Sequence, residues 1–188
     1  MIKIGITGSL SSGKTTASKI LSYRRGPLFS ADKVVKELYR NKRFKSLICK
    51  RFKIKNKNQI KKHLKKLILE NKGNIKLLEK IIHPLVRKKM SNFTTQNKDK
   101  RFLFYEIPLL IESKLMKHFN VVIFIKAKKK LRLKRFKSNR GDKKVFNLLN
   151  NKQMLDKKKV KFCDHVVVNE KNLSILKKNL IAIIEKYE

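Results

Sequence analysis

Ile2-Lys-Ile-Gly-Ile-Thr7, running into Gly8-Ser-Leu-Ser-Ser-Gly13-Lys14-Thr15, is the stretch on which the fold turns. The apolar run predicts a strand, and the residues after it fit G-x-x-x-x-G-K-[ST]. The helix-forming Ala17-Ser-Lys-Ile-Leu-Ser22 follows directly. A short turn between strand and helix must curl until successive backbone N–H groups and the helix N-terminus converge on one anion. Gly8 and Gly13 permit that curl, so Gly8, Ser9, Leu10, Ser11, Ser12, Gly13, Lys14, Thr15 and Thr16 are expected to cradle a nucleoside triphosphate. Lys14 supplies a mobile cation for the β- and γ-phosphates, and the Thr15 hydroxyl is placed to ligate Mg²⁺. The competing reading is a Ser/Gly turn that happens to precede a lysine in a lysine-rich chain.

Length and composition set bounds outside this loop. With 188 residues, of which 41% are hydrophobic, the chain can bury one core without staples. Its longest apolar runs, such as Asn120-Val-Val-Ile-Phe-Ile125, are of strand length, far short of the ~20 residues that cross a bilayer. Met1 leads straight into a strand with no leader pattern, so a cytoplasmic protein is expected. Cys49 and Cys163 lie far apart outside any Cys-x-x-Cys pair, and are expected to be half-buried thiols. A monomer is expected.

The charge is extreme, with 51 Lys plus Arg against 13 Asp plus Glu, a formal net charge of +38. The excess is mostly Lys, runs along the whole chain and travels with abundant Asn and Ile, as codon drift toward an AT-rich composition produces. No finger, homeodomain or RNA-binding sheet motif accompanies it. The expectation is therefore incidental, salt-sensitive attraction to polyanions and no dedicated nucleic-acid role.

Along the chain, strands alternate with helical stretches, which predicts an α/β fold with a parallel sheet covered on both faces. Helix one runs to about Tyr23, Gly26-Pro27 breaks it, and Leu28-Phe29 is a short strand stopping at Ser30-Ala31-Asp32. Asp32 thus sits at a strand's carboxyl end, where open α/β sheets place ligands. Residues 44–90 read as a basic all-helical insertion with a helix ending at Pro84, and 91–100 as a polar loop. Arg101-Phe-Leu-Phe-Tyr-Glu106 and 121–125 are strands with 109–118 helical between them. Residues 127–161 are basic and helical, broken by Asn139-Arg140-Gly141-Asp142, a turn cluster of the kind that tips a flap. Val166-Val-Val168 and a closing helix finish the fold.

Taken in order, these fragments resemble the dephospho-coenzyme A kinase family over essentially the whole chain. The resemblance rests on Thr7–Thr15, Ala31-Asp32, His83-Pro84-Leu85-Val86-Arg87, Pro108-Leu-Leu-Ile-Glu112, an Arg-containing segment, Gln153, and Cys163-Asp164 to Asn169. It implies a three-layer P-loop NTP hydrolase-like fold with a five-stranded parallel sheet. The core is then about 1–43, 93–127 and 159–188, with a helical acceptor-binding insertion at about 44–92 and a lid at about 128–158. It also implies ATP- and Mg²⁺-dependent phosphorylation of the ribose 3′-hydroxyl of dephospho-coenzyme A. Under it, Asp32 is the candidate base, the alternative being a helix cap worth typically ~1 kcal/mol. Arg135 and Arg140 are preferred over Arg132 for the transferring phosphoryl group, the alternative being solvated face residues. Arg87, with His83, Pro108 and Leu109, is expected at the acceptor, although a lone His often satisfies a core hydrogen bond. Glu106 is expected to hold Mg²⁺ through water or to be a rim carboxylate, and Asn169 to contact adenine.

Four positions depart from the family's usual pattern. Ser9 and Ser11 stand where loop glycines are usual, Ser30 replaces the first acid of Asp-Ala-Asp, and Lys61 takes what looks like an Arg position. The open alternatives are another nucleotide or small-molecule kinase, and a basic nucleic-acid-binding protein with a remnant ATP site.

Overall fold

A computed structural model describes residues 1–71 and 73–188. Its centre is β1 (Ile2–Gly8), whose last five residues are all buried. Burial on both faces is what a near-continuous Ile/Thr/Gly run means in a parallel sheet. The loop after β1 enters α1 (Lys14–Ser22), which leads to β2 (Leu28–Ser30) and then α2 (Ala31–Leu38). Helices α3 (Lys42–Phe52), α4 (Ile60–Glu70) and α5 (Gly73–Gln96) follow, before the chain returns as β3 (Phe102–Glu106) and β4 (Val121–Lys126). Helices α6 (Lys129–Ser138), α7 (Lys143–Lys152) and α8 (Asp156–Val160) precede β5 (His165–Val168) and α9 (Leu173–Ile184).

The five strands pair in the order β2-β3-β1-β4-β5. Every pairing is parallel; Ile4, for example, faces Phe104 on one side and Val121 on the other. The order reverses on either side of β1, so the loop leaving its carboxyl end opens at a topological switch point. One sheet face presents Ile4, Ile6, Phe104, Ile123, Ile125 and Val167 to Ala17 and Leu21 of α1 and Leu176, Leu180 and Ile184 of α9. On the opposite face Tyr105 meets Phe119 edge-on at 5.2 Å and Phe29 at 6.0 Å. Gly5 opens that face, since a Cβ there would stand 2.7 Å from Leu110 and 3.1 Å from Phe119.

The chain divides into two compact units, one of residues 1–30 and 97–188 and one of residues 31–96. The second is wholly helical among its described residues. Its core joins Phe44, Ile48, Cys49 and Phe52 of α3 to Ile60 and Leu64 of α4, with Leu77, Leu78, Ile81, Ile82 and Leu85 of α5 packed against them.

Four sequence expectations need correction. Helix α5 does not end at Pro84 but runs through it to Gln96. Pro84 removes a single ladder bond, and the apolar stripe on both sides of it holds the helix together. Residues 91–96 are accordingly helical, and Thr94 and Thr95 turn their hydroxyls back to the Met90 and Ser91 carbonyls. Residues 109–118 form successive turns with one 3₁₀ turn at Met116–His118. There the buried Leu110, Ile111 and Leu115 set the path, and Lys114 at φ 54° breaks any helix. Cys49, expected to be half-buried, is buried in the helical core; Cys163 is half-buried.

Candidate active site

In the larger unit, the loop Ser9–Gly13 turns from β1 into α1. Ser12 N–H donates to the Ser9 carbonyl at 3.1 Å, closing the turn. Ser11 at φ 57° and Gly13 at φ 97° take the positive backbone angles that the curl demands. A Cβ on Gly13 would lie 2.2 Å from Nδ2 of Asn169. That amide is there because it donates to the Ser12 carbonyl at 2.8 Å from the end of β5. The Gly13 N-cap offers no side-chain acceptor to α1, so the first-turn N–H groups remain directed at the loop's concavity. Lys14 is 8% exposed. Its ammonium donates to the Ser9 carbonyl at 2.9 Å, spanning the space where phosphate oxygens would lie.

Glu106, at the carboxyl end of β3, is 2% exposed. Its Oε1 accepts the Thr15 hydroxyl at 2.5 Å and its Oε2 the Ser18 hydroxyl at 3.5 Å. A buried carboxylate coupled to the hydroxyl at the end of the phosphate loop is a hard-oxygen donor pair suited to Mg²⁺. No group of three or more His, Cys, Asp or Glu capable of holding a metal occurs among the described residues. An ion there would complete its shell with water and ligand phosphate, as Mg²⁺ commonly does. The turn after β3 adds a brace: the Thr7 hydroxyl donates to the Pro108 carbonyl at 3.2 Å. Pro108 and Leu109 are both half-buried.

The arginines of α6 and the following turn occupy three different environments. Arg132 is 5% exposed. Its guanidinium donates to the Ala127 carbonyl at 3.1 Å, the Leu10 carbonyl at 3.3 Å and Asn150 Oδ1 at 2.9 Å. Its carbon Cζ lies 5.9 Å from the Phe146 ring centroid. Burial lowers its pKa from the ordinary arginine value and the nearby Asp156 carboxylate acts against that; the group stays charged. Arg135 donates to the Ser12 carbonyl at 3.4 Å and the Asn169 carbonyl at 3.1 Å, so it borders the loop directly. Arg140 is exposed at φ 59° in the turn before α7.

Residues without an assigned role in the sequence reading also reach this loop. Gln153 Oε1 accepts the Leu10 N–H at 2.8 Å, and Asp156 Oδ1 accepts the Ser9 hydroxyl. Behind them, Lys159 is fully buried and pairs with Glu112 at 2.7 Å. The same Glu112 oxygen accepts Met154 N–H at 3.1 Å. No local pattern announces these contacts, since they join residues 42 to 147 positions apart in sequence.

The helical unit carries the remaining candidates. Asp32 is the second residue of α2, because that helix starts at Ala31. It is exposed and lies in the first turn, where a carboxylate suits the helix dipole, but it is not the cap residue. His83 and Arg87 share one face of α5 with Lys76, Glu79, Lys80 and Pro84, lining a groove of about 440 Å³. Lys61 stands 5.3 Å from the Tyr39 ring centroid, and burial raises the Tyr39 pKa. The structure thus gathers Gly8–Thr16, Glu106, Arg135 and Asn169 in one unit, whereas Asp32, His83 and Arg87 belong to the other.

Comparison with known proteins adds an independent line. The family model described as dephospho-CoA kinase matches residues 2–174. A dephospho-CoA kinase of Bartonella quintana is 33% identical over 187 residues, covering 97% of this chain and 96% of the relative. One from Rickettsia bellii is 31% identical, covering 98% of each. Among solved structures, the dephospho-CoA kinase from Campylobacter jejuni superposes with a TM-score of 0.67 at 26% identity, over 98% of this chain and 96% of that one. A shikimate kinase from Bacteroides thetaiotaomicron, at 12% identity and a TM-score of 0.57, shares the fold over 98% of this chain and 97% of its own.

Proposed function

The chain belongs to the dephospho-CoA kinase family and catalyses ATP-dependent phosphorylation of dephospho-CoA, and we propose the following division of labour among its residues. The observation that carries it is the loop itself. Gly13 is confined by Asn169, Lys14 is folded onto the Ser9 carbonyl, and Thr15 is coupled to a buried acid.

The loop Gly8–Thr16 cradles the triphosphate with the Lys14 ammonium and with N–H groups other than those of Leu10 and Ser12, which Gln153 and the Ser9 carbonyl accept, and Asn169 steadies the loop beside the nucleotide. Thr15 and Glu106 would hold Mg²⁺, which would supply positive charge to offset the β- and γ-phosphates. Asp32 orients the ribose 3′-hydroxyl and accepts its proton as the oxygen attacks the γ-phosphorus. The bond from that phosphorus to the β,γ-bridging oxygen breaks, so coenzyme A and ADP leave and the proton rests on the Asp32 carboxylate. Arg135 and Arg140 meet the charge that spreads over the transferring group. Arg87, with His83, binds an acceptor phosphate, and Pro108 and Leu109 line the acceptor side. In this reading residues 44–92 bind the acceptor, residues 128–158 act as a lid, and the enzyme works as a cytoplasmic monomer. No helix among the described residues is long and apolar enough to cross a membrane.

The test is direct. Purified chain, ATP, Mg²⁺ and dephospho-CoA should yield coenzyme A by mass spectrometry, and a folded sample that yields none overturns the reading. Asp32→Asn should lower kcat by at least ~10²-fold with ATP binding unchanged; near-normal turnover would return Asp32 to a structural role at the start of α2.

A further inference from the structure

Ser9 follows Gly8 at the opening of the phosphate loop, and its side chain is committed. The Ser9 hydroxyl donates to the carboxylate of Asp156, the first residue of α8. Its backbone carbonyl in turn receives the Lys14 ammonium at 2.9 Å and the Ser12 N–H at 3.1 Å. One residue therefore carries a carboxylate on its side chain and the loop's cation on its main chain. Neighbouring Leu10 is gripped on both sides, its N–H by Gln153 and its carbonyl by Arg132. Arg132 also feels the charge of Asp156. Ser9 and Leu10 are thus held by side chains from α6 and from the 153–156 segment.

We infer that Asp156 is a positioning residue for nucleotide binding: by holding the Ser9 hydroxyl it fixes the Ser9 carbonyl, and with it the resting place of Lys14. A serine at this position adds a side chain to a turn that glycine would leave bare, and the tie to Asp156 gives that side chain one orientation. Without the tie, the loop samples conformers in which the Ser9 carbonyl and Lys14 no longer converge. Apparent ATP affinity then falls by the fraction of competent loop. The acceptor half of the reaction is untouched, because neither Ser9 nor Asp156 lies in the helical unit that carries His83 and Arg87. The inference rests on the kinase reading above.

A double-mutant cycle tests it. Asp156→Ala and Ser9→Ala should each raise the KM for ATP about ten-fold, the scale of one charge-assisted hydrogen bond. The KM for dephospho-CoA should stay within about two-fold of wild type. The double variant should be no worse than the poorer single one, because one interaction is lost in all three. Asp156→Glu should restore part of the loss, and Lys161→Ala, an exposed neighbour beyond α8, should change nothing. Calorimetric titration with a non-hydrolysable ATP analogue should follow the same pattern without relying on turnover. Additive effects, an equal rise in both KM values, or a lower melting temperature with an unchanged KM for ATP each overturn the inference. If Asp156→Ala does not fold, Ser9→Ala alone decides, since truncating a loop hydroxyl leaves the core intact. A wild-type chain that binds the analogue yet makes no coenzyme A overturns the kinase reading, with the coupling still measurable by titration.

Discussion

Arg132 and Arg140 lie eight residues apart on one basic segment, yet removing their charges should have opposite consequences. Arg132→Met keeps most of the aliphatic stem and deletes a guanidinium that is 5% exposed and makes three hydrogen bonds. Bonds from a charged donor contribute about 1.5–3 kcal/mol each. The sum overstates the loss, because the guanidinium itself is desolvated, as its lowered pKa reflects. Breaking a buried charged network by removing one member costs roughly 3–5 kcal/mol, and the lower end suits a site where Met can still fill the space against Phe146. With a urea dependence of about 2 kcal/mol/M for a chain of this size, the unfolding midpoint should fall by about 1.5 M. The chain has no Trp, so far-UV circular dichroism is the readout. Arg140→Met removes an exposed side chain, so its midpoint should stay within about 0.3 M of wild type. Its kcat should drop by about 10²-fold if it meets the phosphoryl group as proposed. An Arg132→Met midpoint within 0.3 M of wild type, or an Arg140→Met that unfolds as readily, would refute the assignment of the buried arginine to scaffold and the exposed one to chemistry.

Gly13→Ala combines a backbone strain of about 1–2 kcal/mol at a positive φ with displacement of Asn169, whose Nδ2 would be 2.2 Å from the new Cβ. Titration with an ATP analogue should show at least a ~10-fold loss of affinity. The Cys163 thiol is pushed up to about 12, chiefly by burial and next by Asp164, from 9.0. The native state therefore keeps this proton while the unfolded chain releases it, so stability is lost as pH rises above about 9. Cys163→Ser should flatten that alkaline decline in melting temperature, and the native thiol should react only slowly with a disulfide reagent at pH 8. The formal net charge of +38 predicts retention on RNA at low salt that weakens steeply between about 50 and 200 mM, without sequence preference. Binding that persists above that range would reopen a dedicated nucleic-acid role.

What the sequence made legible was whatever is local. The strand, phosphate loop and helix of 2–22 are one contiguous unit with its own spacing rule, and β3 and β4 announce themselves as continuous apolar runs between polar breaks. Periodicity misled where tertiary packing outweighed a local breaker. Pro84 reads as a stop, but it is exposed, and the apolar residues on either side of it, Ile81, Ile82 and Leu85, pack against α3 and α4 and carry the helix through. The Leu- and Ile-rich 109–118 segment reads as helix, but Leu110, Ile111 and Leu115 are pulled separately into the core. In the site, Glu106 and Thr15 each stood out alone, but their hydrogen bond joins residues 91 apart and only the sheet order creates it. Asp156 and Gln153 were least legible as loop partners, because carboxylate and amide side chains on a polar segment carry no signal of what they will touch.

The basic residues themselves separate by type in a way the net charge conceals. Only 10 of the 51 are arginine, and four of those bridge distant segments of the larger unit. Arg25 pairs with Glu188 at 2.5 Å, Arg101 reaches the Tyr187 carbonyl at 3.3 Å, and Arg132 and Arg135 hold carbonyls of the phosphate loop. Lysine fills most exposed basic positions, where a solvated point charge suffices. Among the described residues Lys14 and Lys159 are buried, and each directs its ammonium at an oxygen. A planar fork can satisfy two acceptors at fixed angles and an ammonium cannot, so a drift toward lysine can run freely over the surface but stops where a guanidinium joins two parts of the chain. Substituting Lys at Arg132 or Arg135 is therefore a sharper probe than substituting any surface lysine: charge is kept, the fork is lost, and any defect measures geometry alone.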